Sequence, residues 1–231
     1  MPKKYALIVG ISDYSRIGDL SFCDEDASDW YKYLKAHDYE ITLLGDNHRG
    51  NYPKYDGLAS EAHVRSQLRQ ILNKAQDEDT VVFVSAGHGY GDGKGNSFLC
   101  MYNCNPARDT DCYRDYELLA DLKSAPNKPK TFIFIDHCFS GGFLDELKQL
   151  PNVACFTTCT KKGYGYDYSP KHNGAWTYTF LERGLVQQFG GNAPVEKVFD
   201  WAKDNYTKIT GQKQLGDLPQ KVNNLGKDFT L

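Results

Sequence analysis

Apolar residues follow two rhythms along this chain. Unbroken apolar runs at Tyr5–Gly10, Thr80–Ser85 and Thr131–Ile135 predict strands buried on both faces, since a strand covered on one side would alternate. Glu40–Gly45 and Val153–Cys159 predict two more strands, and the segment Gln220–Leu231 supplies an edge strand. Between the strands the spacing becomes helical. Ala27, Trp30, Tyr31 and Leu34 predict a helix over Asp24–Lys35. Val64, Leu68, Ile71 and Leu72 predict a second, opened by Ser60 and Glu61, and Leu118, Leu119 and Leu122 predict a short third over Asp115–Lys123. Phe143–Leu150, Ala175–Phe189 and Val195–Ile209 complete the helices, with Pro151 ending the first and Pro194 opening the last. Ile11–Leu20, Asp46–Gly57 and Lys161–Asn173 read as loops, Tyr90–Gly95 as a glycine-rich turn and Ser97–Tyr102 as a small hairpin. Strands alternating with helices imply an α/β fold with a mostly parallel sheet and helices on both faces. Without a repeat or a long linker, residues 1–231 read as a single domain.

Chemistry gathers where two of the apolar runs end. One strand passes into Asp136-His137-Cys138-Phe139-Ser140-Gly141-Gly142, the other into Ser85-Ala86-Gly87-His88-Gly89. In open α/β sheets reacting groups sit at the carboxyl ends of the strands. A thiol there is either a packed core group or a nucleophile. His88 favours the second reading, because a cysteine needs an imidazole to become thiolate and the leaving amine needs a proton. Cys138 and His88 are therefore the candidate catalytic pair. Period two places Asp136 on the face of Cys138 and turns His137 to the other, where it reads as a packed histidine.

These motifs resemble those of the caspase-like cysteine peptidases (peptidase family C14, clan CD), especially the metacaspases and prokaryotic caspase homologues. Cys138 follows His88 by fifty positions, which matches the caspase spacing. Tyr-Ala-Leu-Ile-Val-Gly-Ile at the start, Cys23-Asp24-Glu25-Asp26-Ala27 and Asn173-Gly174-Ala175-Trp176-Thr177 also fit. The chain departs from the caspase Gln-Ala-Cys. It also departs from the metacaspase pattern, which has a small residue at His137, a histidine at Phe139 and often a serine at Ala86. The resemblance implies a caspase-like sheet of six strands and an endopeptidase working through a thioester. It implies an oxyanion held by the N–H groups of Cys138 and Gly89, and a pocket for a basic side chain formed by Asp26 and Asp136 with Cys23. Calcium, which many metacaspases need, has only Asp115 and Asp145 as weak candidates here, because Asn96 and Tyr116 stand where acids are expected. No cofactor is required by the motifs themselves. A catalytically silent scaffold, a peptidase specific for Asp and a flavodoxin-like or receiver-like signalling domain are the competing readings.

Composition narrows the partners. A net charge of −3 leaves no basic footprint for nucleic acid and no polybasic signal for membranes. No apolar run has membrane-spanning length, so the expected partner is a peptide or protein substrate, with sensor or adaptor domains left open. Seven cysteines, an odd number, without an export signal suggest a reducing, cytoplasmic setting. Cys100, Cys104 and Cys112 approach zinc-ligand spacing but lack a second pair. Gly91-Asp-Gly-Lys-Gly lacks the frame and ending of a phosphate loop.

Overall fold

The computed structural model describes residues 1–46 and 55–231; residues 47–54 of the loop predicted over Asp46–Gly57 lie outside the described residues. The first half of the chain forms β1 (Lys4–Gly10), α1 (Cys23–Ala36), β2 (Glu40–Gly45), β3 (Gly57–Leu58), α2 (Glu61–Lys74), β4 (Thr80–Ala86), β5 (Gly89–Gly91), β6 (Ser97–Asn105) and β7 (Thr110–Arg114). The second half forms α3 (Asp115–Lys123), β8 (Lys130–Asp136), α4 (Gly142–Leu147), β9 (Val153–Thr157), β10 (Asp167–Tyr168) and β11 (Asn173–Gly174). It ends with α5 (Ala175–Thr177), a π-helix over Tyr178–Gln188 that continues it, α6 (Val195–Thr210) and β12 (Gln220–Asn223).

The unbroken apolar runs become the middle of one sheet, in the order β12-β9-β8-β4-β1-β2-β3. All its pairings are parallel except that of β12 with β9. The mostly parallel α/β architecture expected from the sequence is thus the one observed. The sheet has seven strands rather than six because Gly57–Leu58, at the end of an expected loop, adds to β2. Two residues carry too little periodicity to be read as a strand.

Side-chain alternation sends Tyr5, Leu7 and Val9 to one face of β1, where they meet Val64 and Leu68 of α2, Leu118 of α3 and Phe143 of α4. Ala6 and Ile8 point to the other face, with Trp30 of α1, Trp176 and Phe180 from the α5 segment, and Phe199 of α6. On that second face Trp30 lies 4.9 Å from Phe134 between ring centroids, and Trp176 stacks on the same ring at 5.7 Å. Aromatic pairs of this kind contribute about 0.5–1.5 kcal/mol each beyond their buried area. They pin α1 and α5 to β8, which fixes what those helices present at its carboxyl end.

Three local outcomes differ from the pattern reading. The expected hairpin at Ser97–Tyr102 is instead part of one strand, β6, which pairs with β5 across the expected turn and with β7, a strand not read from the sequence, in a three-stranded antiparallel sheet. Within the expected Lys161–Asn173 loop, Asp167–Tyr168 pairs with Asn173–Gly174. The expected Ala175–Phe189 helix is π-helical for most of its length. There the Thr179 hydroxyl donates to the Ala175 carbonyl (2.8 Å), the acceptor that an α-ladder would give to the Thr179 N–H. No helix among the described residues is long and apolar enough to cross a membrane.

Candidate active site

The adjacent strands β4 and β8 pair in parallel, with Ala86 level with Asp136, so both chemistry-bearing motifs leave the sheet at one edge. A cavity of about 190 Å³ opens there, lined among others by Cys23, Asp26, His88, Asp136, Cys138, Gly165, Asp167 and Gly174. Five of the residues proposed from the sequence therefore share one wall. Gly89 lies just behind it.

Cys138 sits in the turn after β8 and is partly exposed, whereas the other six cysteines are buried. Its Sγ receives the Gly165 N–H at 3.4 Å. Burial, and to a lesser degree the Asp136 and Asp217 carboxylates, raise its thiol pKa, while the Gly165 N–H acts the other way. The next residue, Phe139, has φ +59°, a left-handed conformation costing about 1–2 kcal/mol for a residue with a side chain. Its N–H is secured on the Gly163 carbonyl (2.9 Å), and this sharp turn carries the sulfur to the cavity.

His88 is oriented by main-chain and phenol groups. Its Nε2–H donates to the Gly18 carbonyl (2.8 Å), which assigns the free lone pair to Nδ1. Its backbone N–H donates to the Tyr14 hydroxyl (2.7 Å), and the Tyr14 ring packs 5.0 Å from the imidazole. No third carboxylate is needed to hold the ring. His137 is buried and takes a Ser85 hydroxyl on Nε2 (2.8 Å), while its Nδ1–H donates to the His88 carbonyl (2.7 Å). Burial pulls its pKa down to about 3, so it stays neutral and braces the His88 main chain. This matches its expected place as a packed histidine.

Gly89 is glycine for a reason of packing. A Cβ there would lie 2.1 Å from the carbonyl oxygen of Cys138. The missing side chain thus admits the nucleophile's own main chain before any substrate.

The acids Asp26 and Asp136 converge on Gly174. A Cβ at Gly174 would fall 2.6 Å from an oxygen of each. Asp26 accepts the Gly174 N–H (2.9 Å) and the Asn173 amide (3.2 Å). Asp136 accepts the Thr177 N–H and hydroxyl, both at 2.9 Å. The two carboxylates therefore also cap the start of α5. Asp26 does not cap its own helix: Ser12 Oγ receives the N–H groups of Cys23 and Asp24 at the start of α1. Both acids are nearly inaccessible. Burial followed by mutual repulsion raises Asp26, and burial raises Asp136 to about 6 with Asp167 adding to it, despite the hydrogen bonds each accepts.

Asp167 is an acid that the motif reading missed. It lies in a Gly, Tyr and Lys-rich stretch without periodicity, and only its pairing with Gly174 brings it to the cavity. Tyr14 and the Gly18 carbonyl were missed too, and a main-chain carbonyl leaves no signature in a sequence.

The two calcium candidates have other partners in the structure. Both oxygens of Asp115 are taken by N–H groups, Ser97 at 2.7 Å and Tyr116 at 2.8 Å. Asp145 faces the Lys161 ammonium at 2.9 Å, with Lys148 at 3.6 Å. A cation beside one carboxylate and satisfied oxygens on the other do not suit a hard divalent ion that needs six or more oxygen ligands. Among the described residues no cluster of three or more His, Cys, Asp or Glu residues is arranged for a metal. Cys104 and Cys112 touch through sulfur at 3.2 Å inside the core, and among the described residues they belong to no group of side chains that could hold a metal ion.

The fold superimposes on the crystal structure of protein GSU0716 from Geobacter sulfurreducens with a TM-score of 0.70 and 14% sequence identity. The match covers 96% of this chain and 93% of that one. No curated protein sequence matches. A caspase domain model, that of peptidase family C14, matches residues 3–225, which spans both strand-end motifs and the acids around them. The chain belongs to the caspase domain family of cysteine peptidases.

Proposed function

We propose that the protein is a metacaspase-like cysteine endopeptidase that cleaves after Arg or Lys. The observation that supports this reading is the sharing of one cavity by a thiol, an imidazole and a buried acid pair. His88 Nδ1 takes the Cys138 proton as the sulfur attacks the scissile carbonyl carbon. The tetrahedral oxyanion is held by the N–H groups of Cys138 and Gly89. Collapse breaks the C–N bond, His88 returns the proton to the leaving amine, and a thioester remains. Water, deprotonated by His88, then releases the acid and the free thiol.

Asp26 and Asp136, with Asp167 at the rim, form the pocket for the residue before the cut. Arg engages a carboxylate through two parallel hydrogen bonds, which favours it over Lys. An Asp side chain would instead add a like charge to a confined acidic site. The enzyme works without calcium, because the Lys161 ammonium already stands beside Asp145. The free thiols of all seven cysteines suit a cytoplasmic setting. The scaffold alternative gains nothing from a site that retains both His88 and Cys138.

The test uses matched fluorogenic peptides ending in Arg, Lys and Asp. Wild-type protein should cleave the Arg peptide fastest. Cys138→Ala and His88→Ala should each lower kcat by at least about a thousandfold with an unchanged CD spectrum. Faster turnover of the Asp peptide would sink the pocket assignment, and full activity in either variant would sink the dyad.

A further inference from the structure

A buried carboxylate outside the dyad and the acid pair, Asp217, holds the segment that covers the nucleophile. Asp217 is 2% exposed and lies in a 3-10 turn, Leu215–Asp217, between α6 and β12. One oxygen accepts the Tyr164 N–H and the other the Tyr166 hydroxyl, both at 2.6 Å. These are short, charge-assisted bonds, and they straddle Gly165, the residue whose N–H points at Cys138 Sγ.

The same turn grips the segment at a second point. The Gly216 carbonyl accepts the Thr160 N–H (2.9 Å) and the Thr160 hydroxyl (2.8 Å). A Cβ at Gly163 would come within 1.8 Å of that carbonyl oxygen. From its other side the segment is tied to the nucleophile turn, where the Phe139 N–H donates to the Gly163 carbonyl. Beyond Gly165 the chain supplies Tyr166 and Asp167 to the cavity wall. A strap thus runs from Thr160 to Asp167, fixed at the nucleophile on one side and at Asp217 on the other.

We propose that Asp217 is a positioning residue of the peptidase, whose carboxylate clamps Tyr164 and Tyr166 so that the Gly165 N–H faces the Cys138 sulfur and Asp167 faces the cavity. The inference rests on the peptidase reading for its kinetic consequence, but not for its geometric one. Asp217 acts through the strap and touches no reacting atom. Its own negative charge opposes thiolate formation at Cys138, so its value to the site lies in the hydrogen bonds.

The experiment compares Asp217→Ala, Asp217→Asn and Tyr166→Phe in the full chain. Asn loses the charge but keeps an oxygen for the Tyr164 N–H and an amide for the Tyr166 oxygen; Ala loses charge and clamp together. The difference between these two therefore isolates the clamp. One readout is the pH midpoint of Cys138 alkylation by iodoacetamide, set also by His88, Asp136, Asp167, Tyr90, Tyr166 and Cys159 around the sulfur, all of which the Ala and Asn variants retain. The Ala variant should show a midpoint at least about half a unit above that of Asn, because it loses the Gly165 N–H. On the Arg peptide, Ala should lose roughly tenfold in kcat/KM, mostly in kcat, while Asn stays within about threefold of wild type.

Tyr166→Phe deletes one leg and keeps the Asp217 charge, so it is read against wild type. Its midpoint should rise above that of wild type and its kcat/KM should fall less than that of Ala. An unchanged midpoint would overturn the proposal if Ala fails to fold. Equal midpoints in Ala and Asn, or Asn as damaging as Ala, would overturn the proposal. If wild-type protein cleaves no peptide, the peptidase reading fails while the alkylation comparison still judges Asp217.

Discussion

At Asp136 stability and function pull in opposite directions. A carboxyl whose native pKa lies above its unfolded value holds its proton longer when folded. Its contribution to stability therefore falls as pH rises from about 4 through about 6. His137 acts oppositely: its native pKa of about 3 lies below the unfolded value near 6.5, so stability falls as pH drops through that range. The two slopes offset each other between about pH 4 and 6. In Asp136→Asn the amide oxygen still accepts from Thr177, but Asp26 loses its like-charged neighbour. The variant should melt above wild type at pH 8, and its melting temperature should fall more steeply than that of wild type between about pH 6.5 and 4. Cleavage after Arg should weaken at the same time. Identical melting curves at every pH would mean that the acids do not repel one another. Asp26, Asp136, His88 and Cys138, which line one cavity, could be singled out in the sequence because each stands in a motif beside a strand or helix signal. The sequence did not supply Asp167 or Asp217, which lie in aperiodic stretches far along the chain from the residues they serve.

At the scale of elements, β5 matters because it starts at Gly89 and runs directly against the turn after β8. Its proximity to the Cys138 carbonyl leaves no space for even a methyl group. Gly89→Ala should therefore push β5 and the nucleophile turn apart, costing about 1–3 kcal/mol of stability. It should also lower kcat more than it raises KM, since a shift there moves the proposed oxyanion donors rather than the acid pocket. Unchanged kcat with an unchanged melting temperature would show that the two segments have room to relax. The helices follow their apolar spacing closely: Ser60 caps α2 through the His63 N–H, and Val64, Leu68, Ile71 and Leu72 are its buried residues. Short strands were not legible. Gly57–Leu58 and the β10–β11 pair are each two residues per strand, and they exist because a partner strand offers hydrogen bonds, not because of their own pattern.

At the scale of the molecule, the two faces of the sheet have separate tasks. The α2, α3 and α4 face is aliphatic with few rings, whereas the α1, α5 and α6 face is an aromatic cluster centred on Phe180. The aromatic face carries Asp26 on α1 and Thr177 on α5 to Asp136, so the rigidity of that cluster sets the geometry of the acid pocket. Among the described residues no cluster of three or more His, Cys, Asp or Glu is arranged for a metal, and Asp145 stands beside the Lys161 ammonium. Millimolar calcium should leave both the melting temperature and the rate on the Arg peptide unchanged, and so should a chelator. A calcium-dependent rise in either would show that Lys161 yields its place.

Periodicity and strand-end motifs are local properties, and from them alone follow the main strands and helices, the mostly parallel sheet and the ends of the strands at which thiol, imidazole and acid stand. Folding in three dimensions settles that His88 is held by a main-chain carbonyl at Gly18, that Gly89 yields to the Cys138 carbonyl, and that Lys161 faces Asp145. It also settles that Asp217 reaches back more than fifty residues to Tyr164 and Tyr166. Those contacts join segments with no shared pattern, and they form only when packing brings the chain's distant parts within hydrogen-bonding distance.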